Sequence, residues 1–198
     1  MDKIPLFEQI IDELVTEKFA VVDSFFTEEE LVLFRENLLQ KFENQTFKKA
    51  SIGTGTSKQI IEDIRGDYIL WIDETQSCPT EQLFFSKVNT FINYLNSTCY
   101  VGVNETEFFY ALYPEGSFYK THYDNFKTQN SRKFTFLVYL NQHWQPEHQG
   151  ELVVYAPEKA ITITPTFGKV VIFDSTALPH EVLPTTHKRL SITGWLKG

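Results

Sequence analysis

A chain of 198 residues with 42% hydrophobic residues is long enough for one ordinary domain, spanning 1–198, with a sizeable core. Its formal net charge of -8 argues against a general nucleic-acid binder, which needs a basic face, and against a polybasic membrane anchor. The two cysteines, Cys78 and Cys99, match no zinc or redox spacing, so two free thiols in a reducing compartment are expected over a single disulfide.

The start, Met1-Asp2-Lys3-Ile4-Pro5, lacks a charged segment followed by a long apolar run, so no signal peptide is expected. No stretch approaches the length of a membrane span, and a cytoplasmic location is expected. Leu6, Ile10, Ile11, Leu14 and Val15 recur at helical spacing and predict an amphipathic helix. Phe19 to Val22 reads as a short buried strand. Thr27-Glu28-Glu29-Glu30 is a capping-box start, opening a helix with the stripe Leu31, Phe34, Leu38 and Phe42. From Glu43 to Glu62 the pattern weakens. The Gly53-Thr54-Gly55 of this stretch is not a phosphate loop, because no strand-turn-helix context or Lys-Ser/Thr follows. Ile64 to Ile72 returns to strand character, and Thr80 to Leu95 reads as a third helix capped at Thr80.

Strands then follow over Glu107–Leu112, Phe118–His122, Phe134–Leu140, Glu151–Tyr155, Lys169–Phe173 and Arg189–Leu196. Helices first and strands later predict an α+β fold, mainly β, with helices on one face of a rolled antiparallel sheet. With 18 Phe and 9 Tyr, the chain is rich in the aromatic residues that line β cores and buried pockets.

His122-Tyr123-Asp124 carries the chemistry. On an extended strand His122 and Asp124 point to one face. Alone, His-x-Asp arises often by chance, and its ordinary reading is a strand-end histidine hydrogen-bonded to an acid. His180, just after an apolar strand, would complete two imidazoles and one carboxylate, a set that suits an oxygen-activating non-haem Fe(II) centre. His143, His148 and His187 compete for the third position but read as exposed loop histidines, and Asp174 as a turn cap. Arg189 opens a strand. Usually a surface charge there, it would need an anionic partner if it pointed inward, and a ligand carboxylate could supply one.

Together with Ile64-Arg65-Gly66-Asp67, Trp71-Ile72, Tyr113-Pro114, Tyr139-Leu140-Asn141, Gly150-Glu151-Leu152, Pro179-His180-Glu181-Val182 and Arg189-Leu190-Ser191-Ile192-Thr193-Gly194-Trp195, these residues resemble the Fe(II)- and 2-oxoglutarate-dependent prolyl hydroxylases. Among these, the chain looks most like the hypoxia-sensing prolyl hydroxylase domain enzymes and their bacterial relatives, from about Phe19 to the end. The resemblance implies a double-stranded β-helix (jelly roll) with supporting N-terminal helices. It implies that His122, Asp124 and His180 bind iron, and that Arg189 and Tyr139 hold the distal carboxylate of 2-oxoglutarate. Tyr113 and Thr193 are expected to line the co-substrate pocket, Arg65 and Asp67 the substrate entrance, and Lys48–Ile61 to form a mobile loop over substrate. Ascorbate is the implied reductant. The residues before His122 (Phe118-Tyr119-Lys120-Thr121) depart in detail from the animal enzymes.

The expected activity is hydroxylation of a prolyl residue in a protein or peptide partner, with O2 consumed and no nucleic acid or membrane involved. The same centre acting on a small molecule or another side chain is one alternative. A non-catalytic metal-binding β-barrel sensor or binding module is a second, which the complete triad plus Arg189 argues against.

Overall fold

The computed structural model describes residues 3–44, 46–51, 61, 63–124 and 131–198. Residues 52–60, the greater part of the loop expected over Lys48–Ile61, lie outside that set.

Three helices come early. α1 spans Ile4–Thr16 and buries Phe7, Ile10, Ile11 and Leu14. After β1 (Phe19–Val22), α2 (Glu28–Glu43) starts on the expected capping box. The Thr27 hydroxyl accepts from the Glu30 N–H, and the Glu30 carboxylate accepts from the Thr27 N–H. α3 spans Pro79–Cys99. It starts one residue before the expected Thr80 cap, because Pro79 has its φ preset for a first helical position and Cys78 becomes the cap. At ~1.5 Å per residue the helix separates Cys78 and Cys99 by roughly 30 Å, far beyond disulfide reach; both thiols are free. Among the described residues no helix is long and apolar enough to cross a membrane.

The strands are β2 (Lys48–Lys49), β3 (Tyr68–Ile72), β4 (Glu105–Tyr113), β5 (Tyr119–His122), β6 (Arg132–Tyr139), β7 (Leu152–Tyr155), β8 (Ala160–Ile163), β9 (Val170–Asp174), β10 (His180–Val182) and β11 (Arg189–Lys197). They form a seven-stranded sheet in the order β1-β9-β6-β11-β4-β3-β2 and a four-stranded sheet in the order β5-β10-β7-β8. Every pairing is antiparallel. The architecture is a jelly roll with supporting helices. β2, β8 and β10 are too short to carry a periodic signal in sequence. The strand expected from Ile64 begins only at Tyr68; Arg65 instead bridges to Tyr119.

Period-two alternation gives the large sheet two apolar faces. On β4, Phe108, Tyr110 and Leu112 join the core under the helices. Phe109, Ala111 and Tyr113 face the small sheet, where Leu137, Tyr139, Phe173 and Trp195 join them. The functional residues lie in this second layer, between the two sheets.

Candidate metal centre

His122 ends β5, and His180 begins β10, its hydrogen-bonded neighbour, directly opposite. Their rings lie 4.3 Å apart by centroid. Asp124 follows in a bend rather than on a regular strand, so the one-face argument for His122 and Asp124 gave the right grouping through a different local path. β5 also carries an irregularity. His180 and Val182, two apart, pair with His122 and Tyr119, three apart. This bulge turns Tyr119 and His122 to the same side, and their rings stack at 3.6 Å with an interplanar angle of 16°.

The three side chains converge. One Asp124 oxygen lies 3.5 Å from His122 Nε2, and the other lies 3.5 Å from His180 Nε2. A ligand atom from each residue lies within 4.8 Å of the other two. Both imidazoles turn Nδ1 towards the main-chain carbonyl two residues back, Lys120 at 2.8 Å and Leu178 at 3.2 Å. Donating through Nδ1 leaves each Nε2 lone pair facing the gap, as a metal ligand requires.

Electrostatics agree. Burial pushes the His180 pKa down to about 4, against the pull of Asp124, so its ring is neutral near pH 7. Burial works to raise the Asp124 pKa, but His180, His122 and a Thr135 hydrogen bond hold it well below the usual range. Two imidazole nitrogens and one carboxylate, gathered on one side, match the donor set of non-haem Fe(II). Among the described residues this is the only grouping of three or more His, Cys, Asp or Glu side chains fit to hold a metal.

The triad opens on a cavity of about 150 Å³, lined also by Arg65, Tyr113, Leu137, Arg189, Thr193 and Trp195. Arg189 is 3% exposed. Its Nε donates to the Gly150 carbonyl at 2.9 Å, and its guanidinium sits 5.1 Å from the Tyr113 ring and 4.8 Å from the Tyr139 ring. Among the described residues it forms no ion pair. The Tyr139 hydroxyl beside it is buried with no hydrogen-bond partner among the described residues, and burial raises its pKa. The Tyr113 phenol is likewise pushed up by burial, with Asp67 adding to the shift. The Thr193 hydroxyl lies 3.0 Å from that of Ser191.

Arg65 and Asp67 form a bidentate pair at 2.8 and 2.6 Å. Burial opposes the Arg65 charge, but Asp67 more than offsets it and raises the pKa. The Arg65 guanidinium covers the Tyr119 ring at 4.3 Å, on the ring that stacks on His122. The competing histidines stay apart. His148 and His187 stack on each other at the surface, and His143 is exposed. Asp174 caps a turn through Thr176 and Ala177, as expected.

Residues 108–197 match the profile of the 2OG-Fe(II) oxygenase superfamily. The chain carries a 2OG-Fe(II) oxygenase domain. It is 27% identical to the hypoxia-inducible factor prolyl hydroxylase of Caenorhabditis elegans, over 95% of this chain and 28% of that protein. It is 33% identical to Egl nine homolog 1 of Homo sapiens, over 68% of this chain and 33% of that protein. The chain therefore spans about a third or less of the length of these curated relatives. A crystal structure of a Pseudomonas putida prolyl-4-hydroxylase superposes on this oxygenase domain with a TM-score of 0.90 at 28% identity, covering 98% of this chain and all of that one. A Trichoplax adhaerens prolyl hydroxylase, in complex with a hypoxia inducible factor peptide fragment, gives 0.89 at 27% identity, covering 98% and 89%.

Thr135, Ser175 and Tyr119 surround the oxygenase site but were not expected there, and Gly150 was picked out only within Gly150-Glu151-Leu152, without a role. Each meets its partner from a distant strand or across a bulge, and no spacing in sequence announces that.

Proposed function

We propose that this chain is an Fe(II)- and 2-oxoglutarate-dependent dioxygenase that hydroxylates a prolyl residue of a protein or peptide, with residues 1–198 acting as one unit. His122, Asp124 and His180 would hold the iron. Arg189 and Tyr139 would bind the distal carboxylate of 2-oxoglutarate, with Tyr113 and Thr193 lining its pocket. The observation that carries this reading is the pairing of two unmet needs in one cavity. A ligand set occupies one side of a centre, and beside it lies a buried cation with no acid paired to it among the described residues.

When bound, the iron and co-substrate couple oxidative decarboxylation of the 2-oxo acid, to succinate and carbon dioxide, to hydroxylation of an unactivated C–H bond. The protein's residues bind, orient and exclude water. Nδ1–H bonds to Lys120 and Leu178 fix both imidazoles. Arg189 is preset by Gly150 and presents its terminal nitrogens to a carboxylate, a bidentate geometry. Phe109, Leu137 and Trp195 keep the wall apolar. At the mouth, Trp71 is half exposed beside Trp195 and Phe109, an apolar ledge where a peptide could lie. Arg65 lines the same cavity, held there by the buried Asp67, and we assign this pair to the substrate entrance. The homology to proteins named prolyl hydroxylases, two of which superpose over almost the whole chain, supports proline as target. Two unpaired cysteines fit a reducing, cytoplasmic setting, and ascorbate is the reductant to supply in assays.

Oxygen-dependent release of succinate from 2-oxoglutarate tests the reading. His122→Ala should abolish it. Arg189→Ala should raise KM for 2-oxoglutarate about tenfold or more, on the scale of ~1.5–3 kcal/mol for a hydrogen bond to a charged group. Turnover surviving in His122→Ala would remove the metal assignment, and an unchanged KM would remove Arg189 from its role.

A further inference from the structure

Asp124 stands outside any strand, so something else must fix its carboxylate. Two contacts from β6 hold the residue, one at its main chain and one at its carboxylate. Arg132 donates to the Asp124 main-chain carbonyl at 2.9 Å, and the Thr135 hydroxyl donates to Asp124 Oδ2 at 2.6 Å. Thr135 is 1% exposed and Ser175 is fully buried, and their hydroxyl oxygens lie 2.9 Å apart.

A threonine hydroxyl has one proton. Thr135 gives it to the carboxylate, so in this pair Ser175 must be the donor. The chain of donation therefore runs one way, from Ser175 to Thr135 to Asp124 Oδ2, and every hydroxyl in it is buried. Ser175 is anchored in turn, its N–H donating to the Lys133 carbonyl at 3.1 Å. Its loop leads directly into β10 and His180. The relay thus ties the carboxylate to the segment that delivers the second imidazole.

Resting on the metal reading above, we propose that Ser175 and Thr135 are positioning residues that hold Asp124 by one oxygen, leaving Oδ1 as a one-oxygen metal ligand. They set metal affinity without touching the ion. Partners of this kind change affinity by about 10–100-fold when removed.

Mn(II) binding to the metal-free protein tests this without turnover, by calorimetry for affinity and electron paramagnetic resonance for the shape of the site. Thr135→Val keeps the volume and removes the donor; its Mn(II) dissociation constant should rise about 10–100-fold, with an altered spectrum. Thr135→Ser should restore both. Ser175→Ala should give a smaller rise, because the Thr135 bond survives.

Wild-type affinity in Thr135→Val would overturn the proposal, as would a Thr135→Ser variant as weak as Thr135→Val. If Thr135→Val does not fold, as judged by its thermal transition, Ser175→Ala decides, and unchanged affinity there overturns the relay. His122→Ala separates the two levels. Loss of Mn(II) in that variant, alongside normal binding in Thr135→Val, defeats the relay alone. No Mn(II) binding by the wild type defeats the metal reading and the relay with it.

Discussion

Arg189 is held by a main-chain carbonyl and flanked by two tyrosine rings, and among the described residues no acid neutralises it. Its placement depends on Gly150, which has φ +71 and whose absent Cβ would lie 2.8 Å from the Thr185 Cβ and 3.3 Å from the Arg189 Cδ. A side chain there is strained in backbone, collides with the Thr185 side chain and crowds that of Arg189. Gly150→Ala should therefore cost about 1–3 kcal/mol of stability. It should also raise KM for 2-oxoglutarate with little change in metal affinity, readable from initial rates and Mn(II) titration. The triad and Arg189 were legible in sequence because their residue types are scarce and chemically distinctive. Thr135 and Ser175 were not, since a hydroxyl is common and its meaning comes from a neighbour far away in the chain; Gly150 stood out only within the family stretch Gly150-Glu151-Leu152, without its role beside Arg189.

Elements with a local cause were read well. α2 begins on a capping box formed within four consecutive residues, and β4, β6 and β11 follow long apolar patterns. Elements made by tertiary pairing were not: β10 has three residues, and the bulge in β5 exists only through pairing with it. α3 combines both kinds. Pro79 and Glu81 signal its start locally, while Glu81 also reaches Lys41 at 3.2 Å and approaches Asn37 on α2.

Burial acts to raise the Glu81 pKa, but the Cys78 N–H and thiol, together with Lys41, hold it below its ordinary value of 4.5. A carboxyl depressed in the folded state stabilises the fold above its unfolded pKa, and that contribution is lost as pH falls through the folded value. Glu81→Gln keeps an acceptor for the Cys78 N–H but loses the charge that faces Lys41, so it should lower the melting temperature at pH 7, with about 0.5–1.5 kcal/mol of stability lost. The gap from wild type should narrow as pH falls below the ordinary carboxylate range.

At the scale of the molecule, one sheet serves two layers. Its outer face meets the helices in a phenylalanine cluster, where Phe84 touches Phe26, Phe34, Phe85, Phe108 and Phe136. Its inner face carries the site. Phe84→Ala should cost about 3–5 kcal/mol in chemical denaturation. In whatever fraction remains folded, metal affinity should be near wild type, because the cavity lies on the opposite face. The α+β class and jelly-roll core were legible from the order of patterns and from the family resemblance. The division into two layers was not, because alternation along β4 names two faces without saying what covers each.

The central claim is that this cavity oxidises proline in a protein. Peptide mass spectrometry tests it most directly, comparing a protein extract treated with active enzyme, Fe(II), 2-oxoglutarate and ascorbate against one treated with the His122→Ala form. One added oxygen on a prolyl residue, present only with the active enzyme, is the predicted result. Added oxygen confined to other residues, or identical spectra from the two treatments, would contradict it.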